Sequence, residues 1–296
     1  MGLPPSPAIL KRFSNAETSV ELGVSVRDSD VFIIQSGSSA INDHLMELLI
    51  MISACKTASA RRITAVLPYF PYNKQSKKKK ARAAITAKLV ANMLHVAGVD
   101  HIITMDLHSN QIQGFFSKPV DNLLAEPAIA RYMKDRFESM FSRGVVISKN
   151  AGGAKRLVFD YIVSILIYFS YSNAMLASVT SLADRLKIDF AMIHRERYHI
   201  KGDSSADQTE TRLTLVGNVK GKICFMVDDI VDGTHSFLDS CEHLKKCEAE
   251  KVYIIATHGI LSGDALKEIE ECSAVDEASV LFDLVHSTMQ AIILLC

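Results

Sequence analysis

Short apolar runs alternate with helical patterns along most of the chain, and this alternation restricts the fold more than any other feature. The runs are 31–35 (VFIIQ), 61–70 (RRITAVLPYF), 101–107 (HIITMDL), 144–148 (GVVIS), 189–194 (DFAMIH), 222–229 (KICFMVDD) and 251–259 (KVYIIATHG). Such continuous apolar stretches read as strands buried on both faces. Between them, Leu45, Leu48, Leu49, Ile52 and Cys55 keep a helical spacing. Residues 85–98 form a second helical pattern closed by Gly98, which can adopt the left-handed conformation of a C-terminal cap. Further helices are expected over 125–137, 178–186 and 236–249. The pattern predicts an α/β protein with mainly parallel sheets, each covered on both faces. Ligands of such sheets bind at the carboxyl ends of the strands.

A chain of 296 residues has room for two domains of ordinary size, and a boundary is expected near Glu138–Arg143. Lys+Arg and Asp+Glu balance at 33 each, so no global field favours nucleic acid, and anion binding has to come from local clusters. The six cysteines form no CxxC pair, and Cys55 and Cys224 sit in apolar runs. A reducing, cytoplasmic setting without disulfides or structural zinc is expected. The first residues, MGLPPSPAILKRF, contain no long apolar stretch of a secretory signal. Tyr161 to Ala183 carries no formal charge and begins YIVSILIYF, yet its second half is rich in Ser and Asn. It reads as an insertion rather than a membrane span.

Several strand ends carry residues suited to chemistry. In KICFMVDDIVDGTHSFLDS an apolar strand ends at Asp228–Asp229, a turn holds Asp232, Gly233 and Thr234, and a helix begins near Ser236. Paired carboxylates there can hold ribose hydroxyls or a magnesium ion, and turn amides at a helix start suit a phosphate. The bland alternative is an acidic cap after a strand. MDLH places Asp106 and His108 at another strand end, with Asp121 thirteen residues further on. KNAGGAKR (149–156) offers two glycines for close backbone approach, with Lys155 and Arg156 for charge. A diphosphate loop and a plain glycine turn both fit it. PYNKQSKKKKAR (71–82) is either a clamp for a triphosphate or a solvated basic loop. HRER puts Arg195 and Arg197 at an expected strand exit, where they can meet a transferring phosphoryl group or simply face solvent.

Together these stretches resemble the ribose-phosphate diphosphokinase (phosphoribosyl pyrophosphate synthase) family. The resemblance runs through KRFSNAETSVELGVSVRDSDVFIIQSG (11–37), INDHLMELLIMISACKTASARRITAVLPYFPY (41–72) and AITAKLVANMLHVAGVDHIITMDLHSNQIQGFFSKPVDNL (84–123). It continues in AGGAKR, SLADRL, LVGNVKGK, VDDIVD and THGILSG. It implies two phosphoribosyltransferase-like domains, 1–140 with its first strand missing and 141–296 with an insertion at 157–178. The implied activity moves the diphosphoryl group of ATP to ribose 5-phosphate with Mg2+. The implied partners are homologous subunits of a homo- or hetero-oligomer, with neither nucleic acid nor membrane.

By motif, Phe13, Asn15 and Glu17 would meet adenine from a neighbouring subunit. Lys74, Gln75, Lys77, Lys78, Arg82 and His108 would lie at ATP, and Asp106, His108 and Asp121 at the metal. Asp228, Asp229, Asp232, Gly233, Thr234, His235 and Ser236 would form the ribose 5-phosphate loop. Asn150, Gly152 and Gly153 would form the diphosphate loop, and Arg195 and Arg197 the catalytic loop. The chain departs from the family at Lys74 for an arginine, Ser117 and Asn150 for aspartates, Arg195 for a lysine, and DGTHS for DTCGT. These departures open a second reading, a non-catalytic regulatory or structural subunit of a hetero-oligomeric synthase.

Overall fold

The computed structural model describes residues 4–37, 40–78, 80–149, 174–200, 208–283 and 292–295. They form two compact units, Met1–Ala125 with Phe282–Cys296, and Glu126–Leu281.

The first unit begins with an antiparallel hairpin, β1 (Ala8–Arg12) and β2 (Thr18–Leu22). Its main sheet contains β3 (Asp30–Ile34), β4 (Arg62–Leu67), β5 (His101–Met105) and β6 (Val120–Leu123), parallel to one another. A late strand, β13 (Ile292–Leu295), pairs antiparallel with β3 and completes the order β13-β3-β4-β5-β6. Helix α1 (Ile41–Thr57) buries Leu45, Leu48, Met51, Ile52 and Cys55, close to the expected stripe. Helix α2 (Thr86–Ala97) buries Ala87, Val90, Ala91 and Leu94 and ends at Gly98, whose φ of 110° is left-handed. Backbone N–H groups of Gly98 and Val99 close that end on His95 and Leu94 carbonyls.

The second unit has a six-stranded sheet in the order β12-β11-β10-β7-β8-β9. Its strands are β7 (Gly144–Ser148), β8 (Asp189–Ile200), β9 (Gln208–Val216), β10 (Ile223–Val231), β11 (Lys251–Gly259) and β12 (Glu277–Asp283). The central pairs β8–β7, β7–β10 and β10–β11 are parallel, and β9 returns antiparallel on β8. Its helices are α3 (Glu126–Phe137), α4 (Ala174–Leu186), α5 (His235–Lys246) and α6 (Ala265–Glu271).

Three expectations change. The division falls at Ala125/Glu126, not near residue 140, because α3 and the following 3₁₀ turn deliver aromatic rings to the second sheet. Phe137 lies 4.8 Å from Tyr253 and 5.3 Å from Phe225, centroid to centroid, and Phe141 also meets Phe225. The second unit does not keep the chain to residue 296, since 282–296 return to the first. Strands β8 and β10 also run past their expected ends. Asp228 and Asp229 lie inside β10, and Arg195 and Arg197 inside β8, opposite Leu213 and Thr211 of β9. The inserted segment 157–178 lies outside the described residues except for 174–178, which open α4. Among the described residues, no helix is long and apolar enough to cross a membrane.

Candidate active site

In the second unit the expected sugar-phosphate residues gather at the carboxyl ends of β7 and β10 and the start of α5. Asp228 is buried, and both of its oxygens are engaged. Oδ2 lies 2.7 Å from Lys149 Nζ, and Oδ1 accepts the backbone N–H of Asp229 at 3.0 Å. Burial pushes the Asp228 carboxyl up to about 6, with the Lys149 ammonium acting against the rise. Lys149 is itself buried, and its Nζ sits 3.2 Å from the centroid of the Phe237 ring. Asp229 is the half-buried member of the pair.

The turn after β10 is tied to its surroundings by its own side chains. Ser262 donates its hydroxyl to Asp232 at 2.6 Å. Thr234, almost fully buried, occupies the position before α5, yet its hydroxyl donates to Glu268 of α6 instead of capping its own helix. The Thr234 carbonyl accepts the N–H groups of Phe237 and Leu238. Gly233 and His235 are exposed, and a Cβ built on Gly233 would meet nothing within 4 Å. Ser236 offers its carbonyl to the Arg195 guanidinium at 3.1 Å, and Asp239 accepts from the same guanidinium at 3.1 Å. Arg195 is therefore docked on the first turn of α5, and Arg197 follows two residues on in β8. Asn150, Gly152 and Gly153 lie outside the described residues.

In the first unit Asp106 follows β5 directly and has a φ of 41°. Its Oδ1 accepts the Ala125 N–H at 3.1 Å, and its own N–H donates to the Leu123 carbonyl. The His108 N–H donates to Oδ1 of buried Asn73 at 3.0 Å, and the Leu107 N–H to Oδ1 of Asn122 at 3.1 Å. Asn73 thus fastens the basic loop, beginning at the next residue, to the MDLH strand end. In that loop Gln75 accepts the Thr86 hydroxyl at 2.6 Å, and Lys77, Lys78 and Arg82 are exposed. Lys74 is half-buried.

Asp121 is placed differently from the other two expected metal residues. Its Oδ2 lies 3.0 Å from His101 Nε2, at the start of β5, and its side chain is 59% exposed. Among the described residues, no group of three or more His, Cys, Asp or Glu side chains is assembled to hold a metal ion. Phe13, Asn15 and Glu17 form the turn of the β1–β2 hairpin. The Phe13 N–H donates to the Glu17 carbonyl at 2.8 Å, and the Phe13 ring is 55% exposed.

Three residues escape sequence reasoning. Lys149 looks like the first residue of a loop, and only its acid partner on β10 explains its burial. Glu268 reaches the turn from 34 residues away. Asn73 sits beside a lysine run that draws attention from it.

Residues 1–98 match the N-terminal domain of ribose phosphate pyrophosphokinase, and residues 205–292 match the phosphoribosyl synthetase-associated domain. The chain is 48% identical over 292 residues to ribose-phosphate pyrophosphokinase 2 of Schizosaccharomyces pombe, covering 99% of this chain and 82% of that one. It is 38% identical to ribose-phosphate pyrophosphokinase 1 of Saccharomyces cerevisiae, over 93% of this chain and 82% of that one. The crystal structure of phosphoribosylpyrophosphate synthetase from Mycobacterium smegmatis superposes with a TM-score of 0.74 at 32% identity, covering 94% of this chain and 86% of that one. Identity at this level over nearly the whole chain is decisive: the chain belongs to the ribose-phosphate pyrophosphokinase family.

Proposed function

We propose that the chain transfers the β,γ-diphosphoryl group of ATP to O1 of ribose 5-phosphate, as a subunit working with homologous subunits in the cytoplasm. The O1 oxygen forms a bond to the β-phosphorus, the bond from that phosphorus to the α,β-bridging oxygen breaks, and AMP leaves. The proton of O1 passes to solvent. The observation that carries this reading is the Asp228–Ser236 segment. A carboxylate pair on a buried strand leads through a turn into a helix whose first turn holds the Arg195 guanidinium.

In this reading Asp229, with Asp228 behind it, holds the ribose hydroxyls, and the turn Asp232–Ser236 holds the 5-phosphate. Arg195 and Arg197 offset charge that builds on the transferring group. Asn150, Gly152 and Gly153 receive the diphosphate. Lys74, Gln75, Lys77, Lys78, Arg82 and His108 hold the ATP phosphates, and Phe13, Asn15 and Glu17 take adenine from a neighbouring subunit. A magnesium ion delivered on ATP phosphates needs only one or two protein groups. Asp106, at a strand's carboxyl end two residues from His108, suits that demand, whereas Asp121 faces His101. When bound, the ion neutralises phosphate charge.

The test is AMP formation from ATP and ribose 5-phosphate by the purified chain, alone and mixed with a homologous subunit. AMP and phosphoribosyl diphosphate in equal amounts are expected. No AMP above the partner's own activity in either arrangement would overturn the reading.

A further inference from the structure

The mechanism proposed above gives no task to Lys149, although it is a buried cation in the middle of the sugar-phosphate segment. It directly follows β7 and precedes the segment 150–156 in sequence. Its ammonium touches Asp228 of β10 at 2.7 Å and covers the Phe237 ring of α5 at 3.2 Å. One side chain therefore ties together the end of β7, the strand carrying the carboxylate pair, and the helix opened by the Asp232–Ser236 turn.

A buried carboxylate without a partner gives up its charge or draws in water. Asp228 is 4% exposed at its side chain and keeps a cation within hydrogen-bonding distance. The same contact fixes its direction. With Oδ2 on Lys149 and Oδ1 on the Asp229 N–H, Asp228 is oriented at both oxygens, and the backbone of Asp229 is held by it. The Phe237 ring limits where the ammonium can sit, and Phe237 lies three residues beyond the buried Thr234 of the phosphate turn.

We infer that Lys149 is a positioning residue of the sugar-phosphate site: through its ion pair with Asp228 and its seat on Phe237 it sets the alignment of the Asp228–Asp229 pair with the phosphate turn, and so the affinity for ribose 5-phosphate. The inference rests on the proposed function, because it assigns that sugar phosphate to this segment. Lys149 acts on the ligand through Asp228 and needs no contact with it.

Binding of ribose 5-phosphate and of Mg-ATP is to be measured by calorimetry on the full chain, for the wild type and for Lys149→Met, Lys149→Arg and Phe237→Leu. Lys149→Met is expected to weaken ribose 5-phosphate about tenfold or more while changing Mg-ATP less than about twofold, the scale of a lost charge-assisted hydrogen bond. Lys149→Arg, which keeps a cation able to stack on an aromatic ring, should recover most of that loss. Phe237→Leu, which keeps the charge but removes its seat, should weaken ribose 5-phosphate several-fold and leave Mg-ATP alone. It carries the test if Lys149→Met does not fold. A merely structural lysine would move both affinities together or neither. Wild-type ribose 5-phosphate affinity in folded Lys149→Met, or in Phe237→Leu where Lys149→Met does not fold, overturns the inference and leaves the proposed function standing. A wild-type chain that binds Mg-ATP but no ribose 5-phosphate overturns both.

Discussion

Thr234 gives its hydroxyl to the carboxylate of Glu268, so an anion already sits against the turn proposed to take the 5-phosphate. Like charges about 4 Å apart near a surface repel by roughly 1–4 kcal/mol, depending on the surrounding dielectric. Glu268→Gln keeps an acceptor for Thr234 and removes the charge. It should tighten ribose 5-phosphate binding about fivefold or more in a calorimetric titration. Unchanged or weaker binding would mean that Glu268 helps to shape the turn and does not oppose the ligand.

His108 is exposed, and its backbone is pinned by Asn73 at the root of the basic loop. Replacing it with alanine removes the ring proposed to meet ATP and keeps the backbone N–H that Asn73 holds. His108→Ala should weaken Mg-ATP about tenfold, the scale of one or two polar contacts. Its affinity for ribose 5-phosphate should stay at the wild-type value. Equal Mg-ATP affinity in wild type and variant would remove His108 from the nucleotide site.

Asp276 accepts the Val252 N–H at 2.8 Å and the Lys245 ammonium at 2.9 Å. Burial alone would raise its carboxyl, but the Val252 N–H and Lys245 outweigh it and hold the group below its ordinary value. A carboxyl lowered on folding stabilises the native state above its unfolded value, about 3.9, and that contribution disappears as the pH falls through the folded value. Asp276→Asn should therefore cost about 1–2 kcal/mol at pH 7. In urea unfolding, the gap between wild type and variant should narrow as the pH drops below about 4. A gap independent of pH would show that packing, and not charge, accounts for the cost.

Gly217 directly follows β9 with a φ of 116°, and a Cβ built there would lie 2.5 Å from the Ala191 Cβ. Left-handed backbone and overpacking both oppose a side chain at this position. Gly217→Ala should lower stability by about 2 kcal/mol or more, read as a shift of the urea midpoint. A midpoint within error of the wild type would mean that β9 can move away from β8 at little cost.

The seven strands read from continuous apolar runs and most helices were legible because their signals are local, whereas β1, β2, β6, β9, β12 and β13 were not expected. The stripe on α1 and the Gly98 stop of α2 can be read from neighbouring residues alone. Strand ends were read less well. Polar residues such as Asp228 and Arg195 look like the limits of an apolar run, yet pairing with adjacent strands carries β8 and β10 through them. Phe137 and Phe141 read in sequence as the tail of a helix before an expected boundary, and their contacts with Phe225 and Tyr253, distant in sequence, place them in the second unit. Lys149, Glu268 and His101 act through partners distant in sequence, which no local pattern reveals.

Strand β13 has a consequence for folding during synthesis. The second unit is one unbroken stretch, Glu126–Leu281, whereas the first takes an edge strand from residues made after all of it. On a ribosome that adds about 5–20 residues each second, the earlier part of the first unit waits many seconds for that strand. Through that interval the flank of β3 has no β13 to pair with, and an unpaired edge invites association with other chains. The second unit can complete its own sheet in the meantime, so the unit that starts first finishes last.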